Sequence, residues 1–200
     1  MSKAYFFGDS FIFGYGCRPG DKFYESSNEP DKRTMPQIVS SYLGAEFVDK
    51  TGYGYSNEAI TYSIIELMSS FEKGDYVLMF GTHSTKNIFM GDDKEHVYYN
   101  WPDQLKFIID PVKADEVREP WFEFKDKFYS YWQNIYKGIE SELKLRGVKA
   151  YYYTSGNNWY KDYDMREEDK IKNEGHWNFK GHKKAANWVI GKIKKENELL

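Results

Sequence analysis

Short continuous apolar runs alternate along the chain with longer stretches in which apolar residues recur every three or four positions. The runs AYFF at 4–7, AEFVD at 45–49, DYVLMF at 75–80 and VKAYYY at 148–153 read as β-strands. Consecutive apolar residues in the third mark a strand covered on both faces. A helix is expected over 35–43, stopped by Gly44. Another is expected over 56–71, with Ile60, Ile64, Leu67, Met68 and Phe71 on one face and Gly74 beyond its end. A long helix after Pro120 carries Phe124, Phe128, Trp132, Ile135, Ile139 and Leu143, and Gly147 ends it. The last runs from about 179 to about 195 and buries Ala186, Val189, Ile190 and Ile193. Residues 82–118 are less regular, with a short helix expected near 103–109, and 155–175 read as a polar loop.

Strand and helix in alternation predict an α/β fold, here a flavodoxin-like three-layer α/β/α sandwich on a parallel sheet of four or five strands. The whole chain, 1–200, is expected to form one domain. Such sheets place their sites in loops at the carboxyl ends of the strands. Gly8-Asp9-Ser10 follows the first strand, Gly52 and Gly54 the second, Gly81-Thr82-His83 the third, and His176 the long loop after the fourth. Four polar segments scattered through the sequence thus fall on one expected rim.

Composition narrows the classes. A hydrophobic fraction of 40%, with 19% aromatic residues, excludes a disordered chain. The net charge of −3 provides no general attraction to nucleic acid or to an anionic membrane. With Cys17 as the one cysteine, no internal disulfide can form. No apolar run approaches the roughly 20 residues that span a bilayer. The first residues lack the apolar core and cleavage site of a secretory signal, so the expected location is cytoplasmic. No phosphate-binding Gly-x-x-x-x-Gly-Lys-Ser/Thr loop and no Gly-x-Ser-x-Gly elbow occur. The carboxylates of 161–172 lack a metal-ligand arrangement, so neither metal nor cofactor is expected.

A serine hydroxyl becomes a nucleophile when a base takes its proton, and histidine is the usual base near neutral pH. Ser10 is the candidate nucleophile. Of His83, His96, His176 and His182, His176 is the candidate base, because it follows a polar loop and precedes a helix. His182, one turn into that helix, reads as structural. A developing oxyanion needs donors. The Ser10 N–H is the first, a glycine N–H in the next loop the second (Gly54, with Gly52 its rival), and a side chain of the third loop a third. Asp9 reads as a maker of loop hydrogen bonds. Asn57, after Ser56, reads as a helix-start residue that can also support the rim. Trp159 and Trp177 flank the expected site and are candidate substrate contacts.

These four blocks resemble the SGNH hydrolase superfamily, the GDSL-type esterases. "YFFGDSFIFGYG" matches its first block, "TGYGYSNEAI" its second and "EGHWNFKGHKKAANWV" its last, and the order holds over nearly the whole chain. The resemblance implies a serine esterase in which Ser10 attacks, His176 is the base, and Ser10, Gly54 and His83 form the oxyanion hole. Its substrate would be a small-molecule or carbohydrate ester, with acetate on a sugar the first choice. The chain departs from the family pattern at two places. His83 stands where the family has asparagine, with Thr82 and Ser84 as alternative donors. Asn173 stands where the family has the aspartate three residues before the histidine, which leaves Glu174 as the nearest carboxylate to orient His176; otherwise an amide or a backbone carbonyl holds a Ser–His dyad. Two rivals follow: a catalytically weakened binding or structural protein, and an acyltransferase using the same acyl-enzyme.

Overall fold

The computed structural model describes residues 1–18, 31–52, 55–82, 86–90, 96–100, 130–154, 165–171 and 176–198. Strands β1 (Lys3–Gly8), β2 (Glu46–Thr51), β3 (Tyr76–Gly81) and β6 (Lys149–Thr154) form one parallel sheet in the order β2-β1-β3-β6. This is the flavodoxin-like order as far as four strands define it. Helices α2 (Met35–Leu43), α3 (Asn57–Leu67), α4 (residues 130–145) and α5 (Phe179–Glu198) cover the sheet, and a one-turn helix, α1 (Ser10–Phe13), follows β1.

The two faces of the sheet follow from the alternation of side chains along a strand. Ala4 and Phe6 of β1, Leu78 and Phe80 of β3, and Tyr151 and Tyr153 of β6 pack against α2 and α5. From those helices come Met35 and Val39, and Ala185, Ala186, Val189 and Ile193. Tyr5, Phe7, Val77, Met79 and Ala150 face the other way, against Ile60 and Ile64 of α3 and Trp132, Tyr136 and Leu143 of α4. The expected helical stripes are therefore core stripes. Phe71 is also buried, whereas Leu67, Met68, Ile135, Ile139 and Ile190 are half-buried at the edges of the two clusters. Phe124, Phe128 and the expected short helix at 103–109 lie outside the described residues.

The helix ends obey local rules. Gly44 closes α2 in the left-handed region at φ 62°, where a side chain would be strained. Ser56 caps α3, its hydroxyl accepting from the Ala59 N–H at 3.3 Å. The helix then tightens into a 3-10 turn at Met68–Ser70 instead of running on to Phe71.

Two strands depart from the sequence expectation. β4 (Lys86–Met90) and β5 (His96–Asn100) pair antiparallel as a separate ribbon within the segment expected to be irregular. Their sequences, KNIFM and HVYYN, contain β-favouring residues in apolar runs of only three, too short to stand out as strands.

The register sets where the strands part at the rim. β1 pairs with β2 as far as Gly8↔Thr51, but with β3 only as far as Phe7↔Met79. β3 continues beside β6 to Gly81↔Thr154. The connections after β1 and after β3 also lead to opposite faces, α2 on one and α4 on the other. The carboxyl ends of β1 and β3 therefore flank the topological switch point of the sheet, the place where such folds hold ligands.

Gly8 makes the departure of β1 from the sheet sterically feasible. A Cβ there would lie 2.6 Å from Ile12 Cγ1, inside the fully buried side chain that α1 folds back onto the strand. Gly8→Ala is expected to cost about 1–3 kcal/mol through overpacking. A urea denaturation midpoint that matches the native protein's would contradict this account of the turn.

Candidate active site

Ser10 is the first residue of α1, immediately beyond the end of β1. Asp9 sets that turn. Its backbone is extended, and its carboxylate Oδ1 accepts from the Phe11 N–H at 3.1 Å. Gly14, at φ 77°, ends the helix after one turn and donates its N–H to the Ser10 carbonyl. At the first helical position the Ser10 N–H has no intrahelical acceptor.

His176 reaches this serine from the other end of the chain. Its Nε2 lies 2.8 Å from Ser10 Oγ across 166 residues of sequence. The backbone around it is fixed by the Ile171 N–H, which donates to the His176 carbonyl at 2.7 Å, and by an antiparallel bridge between Lys170 and Trp177. Its ring lies between two aromatic neighbours: Phe11 stacks on it with centroids 4.5 Å apart, and Tyr15 meets it edge-on at 5.2 Å. Both belong to the segment that carries Ser10, so one short stretch of chain presents the hydroxyl and orients the imidazole.

The 165–171 segment that positions His176 is tied to α5. Asn178 accepts from the Gly181 N–H, as an N-terminal cap does, and its side-chain amide donates to the carbonyls of Glu168 and Lys170. Asp169 is fully buried and accepts from Lys184 Nζ and the Arg166 N–H. Burial alone would raise its pKa, but those two donors, with the charges of Lys184 and Lys180, hold it below the usual carboxylate value.

The loop after β3 is fixed from two sides. The Thr82 hydroxyl donates to Asp9 Oδ2 at 2.6 Å. The Thr82 N–H donates to Asn57 Oδ1 at 2.9 Å, and Asn57 Nδ2 donates to the Thr82 carbonyl at 3.0 Å. Tyr136 brings its hydroxyl within 3.2 Å of Asn57 Oδ1 from behind, and burial drives that phenol well above its ordinary pKa, so it remains a donor. Asp9 thus makes the loop hydrogen bonds its sequence context suggests, and Asn57 supports the rim as well as starting α3. Thr82 is removed as a candidate oxyanion donor, because Asp9 takes its hydroxyl hydrogen. Sequence reading had no signal for the Asn57–Thr82 pairing beyond a polar residue, poor as a helix former, at a helix start.

Other expectations fare differently. Gly52 drops out as the rival oxyanion donor, since its N–H donates to the Gly8 carbonyl at 3.1 Å and the Tyr55 ring occupies the space above it. Trp177 is not an open stacking surface. It is 1% exposed, within the core cluster, with Phe11 and His182 against its ring and the Cys17 thiol donating to its carbonyl. It neighbours His176 in sequence, but its side chain points to the interior. Gly54, His83, Trp159, Asn173 and Glu174 lie outside the described residues.

His182 is structural, as its place within the helix suggested. It is 1% exposed, and its Nδ1 accepts from the Met35 N–H at 3.2 Å, satisfying a donor at the start of α2. Burial, then the neighbouring charges of His176 and Arg18, push its pKa down from 6.5 to about 3.

No protein-family model matches the chain, and no curated protein is significantly similar to it. Among solved structures, the lipase/acylhydrolase from Enterococcus faecalis is similar over 98% of this chain and 97% of its own, at 12% identity and a TM-score of 0.45. A member of the lipolytic protein G-D-S-L family from Veillonella parvula DSM 2008 is similar over 96% and 97%, at 14% identity and a TM-score of 0.43. A G-D-S-L family protein from Desulfitobacterium hafniense DCB-2 is similar over 94% and 98%, at 13% identity and a TM-score of 0.40. These are resemblances in the course of the chain; the chemistry of the site is read from its own atoms.

The buried histidine makes a pH-dependent prediction. Its folded pKa lies below the unfolded value, so the unfolded chain binds that proton first as pH falls from about 6.5 toward about 3. The stability His182 contributes is fully present above the upper value and lost across that window, at up to about 1.4 kcal/mol per pH unit. His182→Asn keeps an acceptor for Met35 but does not titrate. Its stability, from denaturant titrations at several pH values, should fall less steeply with acidification than the native protein's. Parallel curves would exclude a buried neutral imidazole.

Proposed function

We propose that this chain is a metal-independent serine esterase of the SGNH type, folded as one domain. The observation that carries the reading is the 2.8 Å contact between Ser10 Oγ and His176 Nε2. A hydroxyl and an imidazole brought together at the switch point of a parallel sheet are the pair that acyl transfer requires.

With its proton on Nδ1, His176 presents an Nε2 lone pair to the serine. As Oγ attacks an ester carbonyl, Nε2 takes the hydroxyl proton, and the carbonyl oxygen gains the negative charge. The Ser10 N–H at the start of α1, which has no intrahelical acceptor, supplies the first donor to that oxyanion, and Gly54 N–H and His83 supply the others. Collapse of the tetrahedral intermediate breaks the bond to the alcohol, which leaves with the proton from His176. Water then gives a proton to His176 as its oxygen bonds to the acyl carbonyl; the second intermediate collapses by breaking the bond to Ser10 Oγ, which takes that proton back from His176, and the acid is released. Glu174 orients the imidazole and stabilises its charged form. Trp159 contacts the substrate, for which an acetyl ester on a carbohydrate is the first choice. The Phe11 and Tyr15 rings support the reading further, because they hold His176 in one orientation before substrate arrives.

The test is covalent labelling by a fluorophosphonate, read by intact mass on the native protein, Ser10→Ala and His176→Ala. One adduct per native chain is expected. It should be absent in Ser10→Ala and form at least about 100-fold more slowly in His176→Ala, in keeping with the loss of a general base. A folded native protein that takes no adduct would contradict an activated serine and favour a rim that binds without reacting.

A further inference from the structure

Asn57 lies one element away from the serine, on α3, yet its geometry connects it to Ser10. β3 outlasts its pairing with β1: the ladder stops at Phe7↔Met79, while β3 runs on to Gly81. Thr82 then leaves the sheet. The Asn57 side-chain amide accepts from its N–H at 2.9 Å and donates to its carbonyl at 3.0 Å, the two bonds a neighbouring strand would exchange with it. The third polar group of Thr82, its hydroxyl, goes to Asp9 Oδ2. The other oxygen of Asp9 holds the Phe11 N–H and so fixes the turn on which Ser10 stands. Asn57, Thr82 and Asp9 are each nearly fully buried, so water is a poor substitute for any member of the series.

We infer that Asn57 is a positioning residue for Ser10, acting in series through Thr82 and the Asp9 carboxylate. It touches neither the serine nor the histidine. It holds Thr82 so that the Thr82 hydroxyl meets Asp9 in one place, and Asp9 in turn presents Ser10 to His176. A serine displaced by about 1 Å loses on the order of 100-fold in rate while its binding surface is hardly altered. The inference rests on the reading of Ser10 as a nucleophile for its effect on rate, but the mechanical coupling stands on contacts that do not involve the reaction.

Two variants isolate the links. Asn57→Asp keeps the acceptor for the Thr82 N–H and removes the donor to its carbonyl. Thr82→Val removes the hydroxyl at nearly constant volume. The full-length protein and each variant are labelled with the fluorophosphonate over a range of concentrations, which separates the saturating rate from the half-saturating concentration. Each single variant is expected to lose about 10–100-fold in saturating rate, with half-saturation changed by less than about threefold. The double variant should fall no further than the worse single variant, because the residues act along one chain of contacts; independent roles would multiply. Saturating rates within about threefold of native in both singles would overturn the inference, as would multiplying losses.

A second measurement does not depend on labelling. Amide exchange followed by NMR reports the Phe11 N–H, which Asp9 protects and Asn57 does not touch. In Asn57→Asp it should exchange at least about 10-fold faster, while the Phe6 amide in β1 keeps its protection. Unchanged exchange at Phe11 in a folded variant overturns the coupling whatever the labelling shows. A native protein that takes no label but shows the Phe11 effect would remove the esterase reading and leave Asn57 as the anchor of the rim.

Discussion

The Asp9 carboxylate is the interaction from which the arrangement of the rim follows. A buried carboxylate is costly unless both oxygens are supplied with donors. Here Oδ1 takes the Phe11 N–H and Oδ2 the Thr82 hydroxyl. The two donors belong to different strand ends, one just after β1 and the other just after β3. Satisfying a single charge therefore joins the two loops at the place where the sheet parts. Without such a link, the early separation of β1 from β3 would leave two unconnected strand ends. With it, the two loops are held to one another beside Ser10.

The histidine arrives by an independent route. Its position depends on the 165–171 segment, and that segment depends on α5 through Asn178 and through Asp169 with Lys184. The two arms meet at the Ser10–His176 hydrogen bond and at the rings of Phe11 and Tyr15. The serine arm is built on β1 and the histidine arm on the last helix. Their convergence requires α5 to pack on the same face of the sheet as α2, where the first turn after β1 begins its crossover. The Met35 N–H donating to His182, on the turn of α5 just after His176, fixes that packing at the level of the site.

The strands were legible because they are apolar runs bounded by turn residues, and the helix stripes because their period matches one face of a helix. What the sequence did not display was polar and non-local. Asn57 and Thr82 are ordinary loop and helix-start residue types, and nothing in their spacing announces that one pairs with the backbone of the other. β4 and β5 escaped notice for a related reason, since strands with three apolar residues each carry no distinctive period. Trp177 shows the reverse error. Its place beside His176 suggested a ligand contact, but its side chain lies in the core cluster, with Phe11 and His182 against its ring. The serine and histidine could be matched in advance because order along the chain and the switch-point rule constrain them together.

His176 and His182 show how location assigns chemistry to one residue type. They stand six positions apart at the start of the same helical region, and both adjoin the Trp177 side chain or backbone. His182 is enclosed, its Nδ1 committed to a backbone donor, and its pKa driven to about 3 by burial. Enclosed in this way it acts as a fixed acceptor in the packing of α2 on α5. His176 is only half-buried, and its Nε2 is directed at a hydroxyl. What separates them is place: His176 stands before the helix, next to the bridge at Trp177, and His182 stands within it. Asn178, whose side chain caps α5 and holds the carbonyls of Glu168 and Lys170, stands between the two histidines.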